Sequence, residues 1–332
     1  MTGEDRTGGG AVDASRERAP GPVFARLDRP ISDPSVTLSV IADPHVALAE
    51  RGTWKVYHRT LDRLRTAVSV ANAHADAALV AGDLTRDGRP AEFDAVDDAL
   101  ATLSVPWQAI PGNHDVPKAF DDHASPPVER FAQRYGPLPF AEAVGEVTLL
   151  GVDTATSGPE GPTSDGAADG DAGGPADLRE TWGGRVGPAQ RAWLAEQLAE
   201  HDRPVVAFHH PAGRVPGCPD GPRWRNFRLY DDDAVSALLR EHDVPLALSA
   251  HHHVPAVVSH GDTVEALAPA VCSFPQASLH VEIGPEGTTL RLVPLADADG
   301  VAEAHGLARD GKPLGRTVCD LAERRLADRL GA

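Results

Sequence analysis

Lysine is nearly missing from this sequence. Of 31 basic residues only Lys55, Lys118 and Lys312 are lysine, against 49 aspartates and glutamates, which leaves a formal net charge of -18. So acidic a chain repels polyanions at low ionic strength, which argues against a nucleic-acid partner there. Strong salt screens that repulsion to about 3 Å at 1 M, so charge by itself leaves a nucleic-acid substrate open. The same surplus of carboxylates over lysines fits a protein from a salt-loving cytoplasm. Cysteine is scarce as well: Cys218, Cys272 and Cys319 are scattered and odd in number. That excludes a disulfide framework and a zinc ribbon, and predicts three reduced packing residues. No stretch approaches the ~20 apolar residues of a membrane span, and residues 1 to 22 hold no apolar signal core. A soluble cytoplasmic protein without membrane contact is expected.

What is present suffices for a substantial core. The chain has 332 residues, 41% of them hydrophobic and 24% charged, an ordinary globular balance. Residues 1–30 read as a disordered leader, 31–300 as the main domain and 301–332 as a C-terminal helical extension. Within the domain, residues 157–177 are Gly, Pro, Asp and Ser with almost nothing to bury, which predicts a flexible acidic insertion.

Short apolar runs alternate with helix-period segments. Val36 to Ala42 is β-rich, Val56 to Ala73 has Leu61, Leu64 and Val68 at helical spacing, and Ala77 to Ala81 is a second run. A helix over about Pro90 to Leu103 starts on proline, as helices favour, and Val105 to Ile110 follows it. This alternation predicts neighbouring strands with helices on their faces. From Val254 onward, short alternating stretches predict a second, antiparallel sheet, and Leu321, Leu326 and Leu330 a terminal helix. The fold expected is an α/β/β/α sandwich of two sheets flanked by helices.

The runs end in polar ligand atoms. Asp43 and His45 follow the first, Asp83 the second, Asn113, His114 and Asp115 the third, His209 and His210 another, and His251 to His253 the last. In open α/β sheets, sites form at the carboxyl ends of strands. Carboxylate, imidazole and one amide oxygen suit divalent metals of intermediate hardness, Mn, Fe, Zn or Co. There are enough groups for two ions sharing a carboxylate, the arrangement used for in-line attack at phosphorus.

The series D-x-H, G-D, G-N-H-D, His and x-H-x-H over Val36 to Val258 resembles the calcineurin-like metallophosphoesterase superfamily. Gly82 to Gly88 and the later His-His-Pro look most like its class III cyclic-nucleotide phosphodiesterase branch. The resemblance implies one metal on Asp43, His45 and His253, a second on Asn113, His209 and His251, and Asp83 bridging both. It also implies His114 over the substrate phosphate, with Asp115 orienting it, and a metal-bridging hydroxide attacking a small phosphodiester or phosphomonoester. A nuclease of the same superfamily and a non-catalytic metal-binding scaffold are the alternatives, the second opposed by the complete ligand set.

Three features depart from the family pattern: Ala250 replaces a glycine, Pro44 stiffens the first ligand turn, and Val116-Pro117-Lys118 follows where arginine is common. Residues 212–230 form the most basic and aromatic stretch of the chain, so they are expected to cap the site, with Arg214, Arg223 and Arg225 gripping phosphate; the alternative is a loop whose arginines pair with surface acids. Of the adjacent histidines, His209 rather than His210 is expected to face the metals, because strand neighbours point to opposite faces. His252 is expected to point away from them. Lys55 and His58 follow the first ligand pair, where contact with substrate is the alternative, but they read as parts of a solvated loop; His74, His123, His242, His260, His280 and His305 read as ordinary side chains.

Overall fold

A computed structural model describes residues 19–48, 51–118, 123, 125–155 and 182–330, and for residues 128, 222, 223, 329 and 330 the backbone alone. The insertion expected over 157–177 lies outside the described residues. In chain order the elements are β1 (Val23–Leu27), β2 (Val36–Ile41), α1 (Thr60–His74), β3 (Ala77–Ala81), α2 (Pro90–Leu100), β4 (Trp107–Ile110), α3 (Val128–Tyr135), β5 (Phe140–Val144), β6 (Val147–Gly151) and α4 (Gly187–Glu200). The second half supplies β7 (Pro204–Ala207), α5 (Pro222–Arg225), α6 (Asp232–Glu241), β8 (Leu246–Ser249), β9 (Ala256–His260), β10 (Thr263–Leu267), β11 (Ala277–Gly284), β12 (Gly287–Pro294), α7 (Ala298–Asp310) and α8 (Pro313–Leu330).

The strands form two six-stranded mixed sheets, ordered β1-β12-β11-β2-β3-β4 and β5-β6-β7-β8-β10-β9. Leu38, Val40 and Leu79 of the first sheet meet Leu149, Val205 and Leu246 of the second in a shared core. Each such side chain, fully removed from water, contributes roughly 1.5–3 kcal/mol. Leu64 and Val68 of α1 and Phe93 and Val96 of α2 cover the outer face of the first sheet. Leu194 and Leu198 of α4 and Val235 and Leu239 of α6 cover the second. This is the expected α/β/β/α sandwich.

Strand partnership differs from expectation in two places. The late strands do not form a sheet of their own: β10 runs parallel to β8 and carries β9 outward, whereas β11 pairs antiparallel with β2 and joins β12 and β1 to the first sheet. Alternation identifies a strand but not its partner, because pairing is fixed by contacts distant in sequence. The leader read as disordered up to residue 30 also contains β1, which pairs antiparallel with β12. Its Phe24 and Ala25 enter the shared core, and the stretch is too short and too flanked by Gly, Pro and Arg for its apolar content to stand out. The expected terminal helix is a pair, α7 and α8.

Cys218, Cys272 and Cys319 are all free and buried, as packing residues would be. Among the described residues no helix is long and apolar enough to cross a membrane. Because Phe24 is 4% exposed within the inter-sheet core, Phe24→Ala is expected to lower the unfolding free energy by about 3–5 kcal/mol, measured by urea denaturation. A change below 0.5 kcal/mol, the ordinary scatter of a surface substitution, would return residues 19–30 to the leader.

Candidate metal centre

All the parallel strands of both sheets deliver their carboxyl ends to one edge of the sandwich, and the polar residues found in sequence sit there. The chain leaves the strands through an unusual backbone: Asp43, His45, Asp83, His251 and His253 all have φ between 44° and 64°. Non-glycine residues seldom occupy this left-handed region, and the cost persists only where surrounding structure enforces it. Here that conformation lets alternate residues of each exit loop turn to one side. Two glycines permit the close approach. A Cβ on Gly112 would lie 2.1 Å from Asp83 Oδ1, and one on Gly82 would lie 2.3 Å from His209 Nδ1.

Asp83 is the centre of the cluster. Its Oδ2 lies 3.3 Å from His45 Nε2, and its Oδ1 lies 3.5 Å from His209 Nε2. On the His45 side, the Nε2 atoms of His45 and His253 face each other at 3.2 Å. Asp43 Oδ1 stands 3.5 Å from His253 Nε2 and 4.0 Å from His45 Nε2. On the His209 side, the ligand atoms of His209, His210 and His251 lie within 4.8 Å of one another. Groups bound to one ion at ~2.0–2.2 Å stand about 3–3.5 Å apart, which is the spacing seen around Asp83.

The residues fit a divalent cation on a second count. Asp43 Oδ1, Asn113 Oδ1, His209 Nε2 and His251 Nδ1 are buried without a hydrogen-bond partner. An unpaired buried polar atom costs about 1–3 kcal/mol, and four expected ligand groups converge here with such an atom each. The electrostatics carry the same mark. Burial, together with the neighbouring Asp83, pushes the Asp43 carboxyl up to about 7. Burial also opposes ionisation of Asp83, but the charges of His209, His114 and His45 outweigh it and hold Asp83 well below the usual carboxylate range. For His209, burial is outweighed by Asp83 and Asp43, which raise it to about 9. Burial leaves His45, His251 and His253 well below the ordinary histidine value.

Sequence comparison agrees with the geometry. The calcineurin-like phosphoesterase profile matches residues 36–255, well over half of the chain. The chain belongs to the calcineurin-like phosphoesterase family. This phosphoesterase is 26% identical over 244 residues to a probable cyclic nucleotide phosphodiesterase from Synechococcus sp., covering 68% of this chain and 79% of that protein. It is 27% identical over 139 residues to the glycerophosphodiester phosphodiesterase GpdQ of Enterobacter lignolyticus, covering 41% of this chain but 42% of the relative. Its fold is similar to that of a purple acid phosphatase from yellow lupin, with a TM-score of 0.50 at 13% identity over 84% of this chain and 53% of the lupin protein. Membership makes it a metal-dependent phosphoric ester hydrolase by class.

Several residues of the phosphoesterase take positions the sequence did not foretell. The Asp115 carboxylate does not orient the His114 ring. It accepts from the backbone N–H groups of Leu84 (3.0 Å), Thr85 (2.9 Å) and Gly112 (2.9 Å) and from the Thr85 hydroxyl (2.8 Å), tying the second and third ligand loops together. The partner of His114 Nδ1 is instead the Arg86 carbonyl, while Trp182 stacks on the ring at 5.1 Å. His210 stays near its neighbour, its ring 4.6 Å from that of His251 and its Nδ1 2.8 Å from the Thr154 hydroxyl. Since β7 ends at Ala207, strand alternation no longer applies to the pair. His252, by contrast, turns its Nε2 to the Phe227 carbonyl, as expected.

The arginines proposed as a phosphate grip are engaged elsewhere. Arg214 pairs with Asp220 at 2.5 Å, and Arg225 donates to the carbonyls of Leu229 and Tyr230 and to Asp232. Neither lines the cavity over the ligands, and the Arg223 side chain lies outside the described residues. Among the described residues the cation on the cavity wall is Lys55, with Nζ 2.9 Å from His45 Nε2. Its backbone is bridged to Ser273, so the loop expected to be solvated is docked, although His58 does pair outward with Glu303. Trp54, Trp182 and Trp224, three of the five tryptophans, share the cavity with it. Trp224 falls in the aromatic stretch expected to cap the site, and Lys55 follows the first ligand pair; for Trp54 and Trp182 the sequence held no sign beyond the rarity of tryptophan, five in 332 residues. His260 and His305 pair with Glu265 and Glu323, away from the cavity.

Because Asp115 satisfies four buried donors, Asp115→Ala is expected to lower the unfolding free energy by about 3 kcal/mol or more. Chemical denaturation checks this, and a loss under 1 kcal/mol would mean that the two loops are held by other contacts.

Proposed function

We propose that this protein hydrolyses a small phosphodiester or phosphomonoester at a dinuclear divalent-metal centre. The observation that carries the reading is the Asp83 carboxylate, whose two oxygens face two separate groups of buried ligand atoms. In this reading Asp43, His45 and His253 hold one ion, Asn113, His209 and His251 the other, and Asp83 contributes to both. Two ions of the Mn, Fe, Zn or Co type would supply Lewis acidity toward the phosphoryl oxygens and a water of lowered pKa.

The chain's own residues complete the chemistry. A carbonyl oxygen can only accept, so Arg86 fixes the proton of His114 on Nδ1 and leaves Nε2 for the substrate. His114 then stabilises charge on the phosphoryl group, or as imidazolium gives a proton to the leaving oxygen. Trp182 stacked on the ring restricts its motion. Lys55 takes the part first given to the arginines: its ammonium lies on the cavity wall 2.9 Å from His45 Nε2, and were that nitrogen to hold a cation, the ammonium would be free to pair with the phosphate. The acidic surface fits a salt-rich cytoplasm, so turnover is expected to persist in molar salt.

The test is hydrolysis of bis(4-nitrophenyl) phosphate and 4-nitrophenyl phosphate with Mn, Fe, Co or Zn supplied. Cleavage of at least one is expected, and silence toward both with every metal would overturn the reading. His114→Gln should reduce kcat by roughly 100-fold or more while elemental analysis finds unchanged metal content. Asp83→Asn should lose metal, and full metal content with full activity would remove the bridging role.

A further inference from the structure

The cavity over the ligands has two unlike ends. One is the metal-ligand cluster with His114 and Lys55, and the other is a wall of Trp54, Trp224, Phe227, Leu314 and Val318. The wall is a built feature rather than incidental exposure. Leu314 and Val318 are four residues apart on α8 and so share one helix face. Val318 continues into a cluster with Val215, Val254 and Leu267, which fixes the helix against the second sheet. Gly315 lies between them, inside a helix where glycine is unfavourable, and a Cβ there would stand 2.5 Å from the Cβ of Trp54. The glycine admits the close seating of Trp54 against α8. Across the cavity, Trp224 and Phe227 meet edge to face at 5.6 Å, and Phe227 meets the His251 ring at 5.6 Å.

We infer that this wall selects esters in which the group carried by the phosphate is a neutral, flat aromatic ring, and that α8 is the selecting element. The inference rests on the phosphoesterase reading. Three considerations choose this occupant. The cavity volume is about 250 Å³, and an apolar cavity of about 150 Å³ accepts benzene, so a ring fits beside a phosphoryl group. Leu314, Val318 and Phe227 offer no side-chain hydrogen-bonding group, so a glycerol or sugar hydroxyl placed against them would lose its bonds to water without replacement. An aromatic enclosure also suits quaternary ammonium groups. That occupant is disfavoured here because Lys55 Nζ already lies 5.5 Å from the Trp54 ring centre, and a second cation beside it is repelled.

The experiment is calorimetric titration of the metal-loaded protein with phenylphosphonate, methylphosphonate and phosphocholine, which requires no turnover. Phenylphosphonate is expected to bind at least tenfold more tightly than either of the others. Equal binding of the phenyl and methyl compounds, or tighter binding of phosphocholine, overturns the inference and leaves the hydrolytic reading standing. Absence of ester hydrolysis overturns the hydrolytic reading whatever the titrations show. Leu314→Asn, judged folded by circular dichroism, should bring the phenyl-to-methyl ratio down by about tenfold. An unchanged ratio in that variant overturns the part assigned to α8, and the wild-type ratio is decisive for the ring itself even if the variant does not fold.

Discussion

Everything at this edge of the sandwich answers to one constraint, the burial of Asp83 among histidines. A carboxylate 1% exposed loses most of its hydration, and the loss is tolerable only with opposite charge and directed donors close by. The protein supplies His45 on one side, His209 on the other and the backbone N–H of His114 at 2.8 Å. Asp43, equally buried, competes for the same positive surroundings, and its carboxyl rises while that of Asp83 falls. Two buried acids face one histidine whose proton is held and three, His45, His251 and His253, that burial disfavours as cations, and divalent cations are a species that can balance the acids without further donors.

The backbone is shaped to hold those groups. Five expected ligand residues adopt left-handed φ values, and the exits that contain them are bound to one another. Asp43 and His45 donate their backbone N–H groups to the carbonyls of Gly82 and Asp83. His251 donates its N–H to Asp43 Oδ2 at 3.1 Å, and Asp115 fastens the Asp83 loop to the Gly112 loop. Residues from both sheets thus meet through hydrogen bonds between loops before any side chain reaches a ligand. Conformational cost is concentrated where precise placement matters, and the inter-sheet core below offsets it.

What the sequence made legible follows from how local each cause is. A buried parallel strand followed by a polar ligand leaves a short apolar run with an abrupt polar end, and Val36 to Asp43, Ala77 to Asp83 and Val105 to Asn113 all show it. The insertion of β11 between β12 and β2 leaves no such trace, since Leu279 finds Val40 across most of the chain. The grip assigned to Arg214 and Arg225 failed for a related reason. A cluster of basic residues shows that charge is present but not where it is spent, and here nearby aspartates and carbonyls absorb it. Lys55, only ten residues beyond His45, reads as solvated rather than as a substrate contact because a loop lysine is solvated unless distant residues dock it. The docking comes from Cys272 and Ser273, more than two hundred residues away.

The same reasoning explains why α8 could be read as an appended helix and yet belongs to the site. Its leucines have helical spacing, which predicts an amphipathic face but not what that face covers. The covering is mixed: Leu321 joins the second sheet's outer cluster, Cys319 and Ala322 join the packing around Val56 and Phe274, and Leu314 with Val318 face the cavity. A helix fixed by two apolar clusters on either side of a cavity forms a stiff wall rather than a movable flap. Its contribution to recognition is therefore the shape and polarity of that wall. In the reaction proposed, the ligand cluster would fix where the phosphorus lies and α8 would limit what can be attached to it.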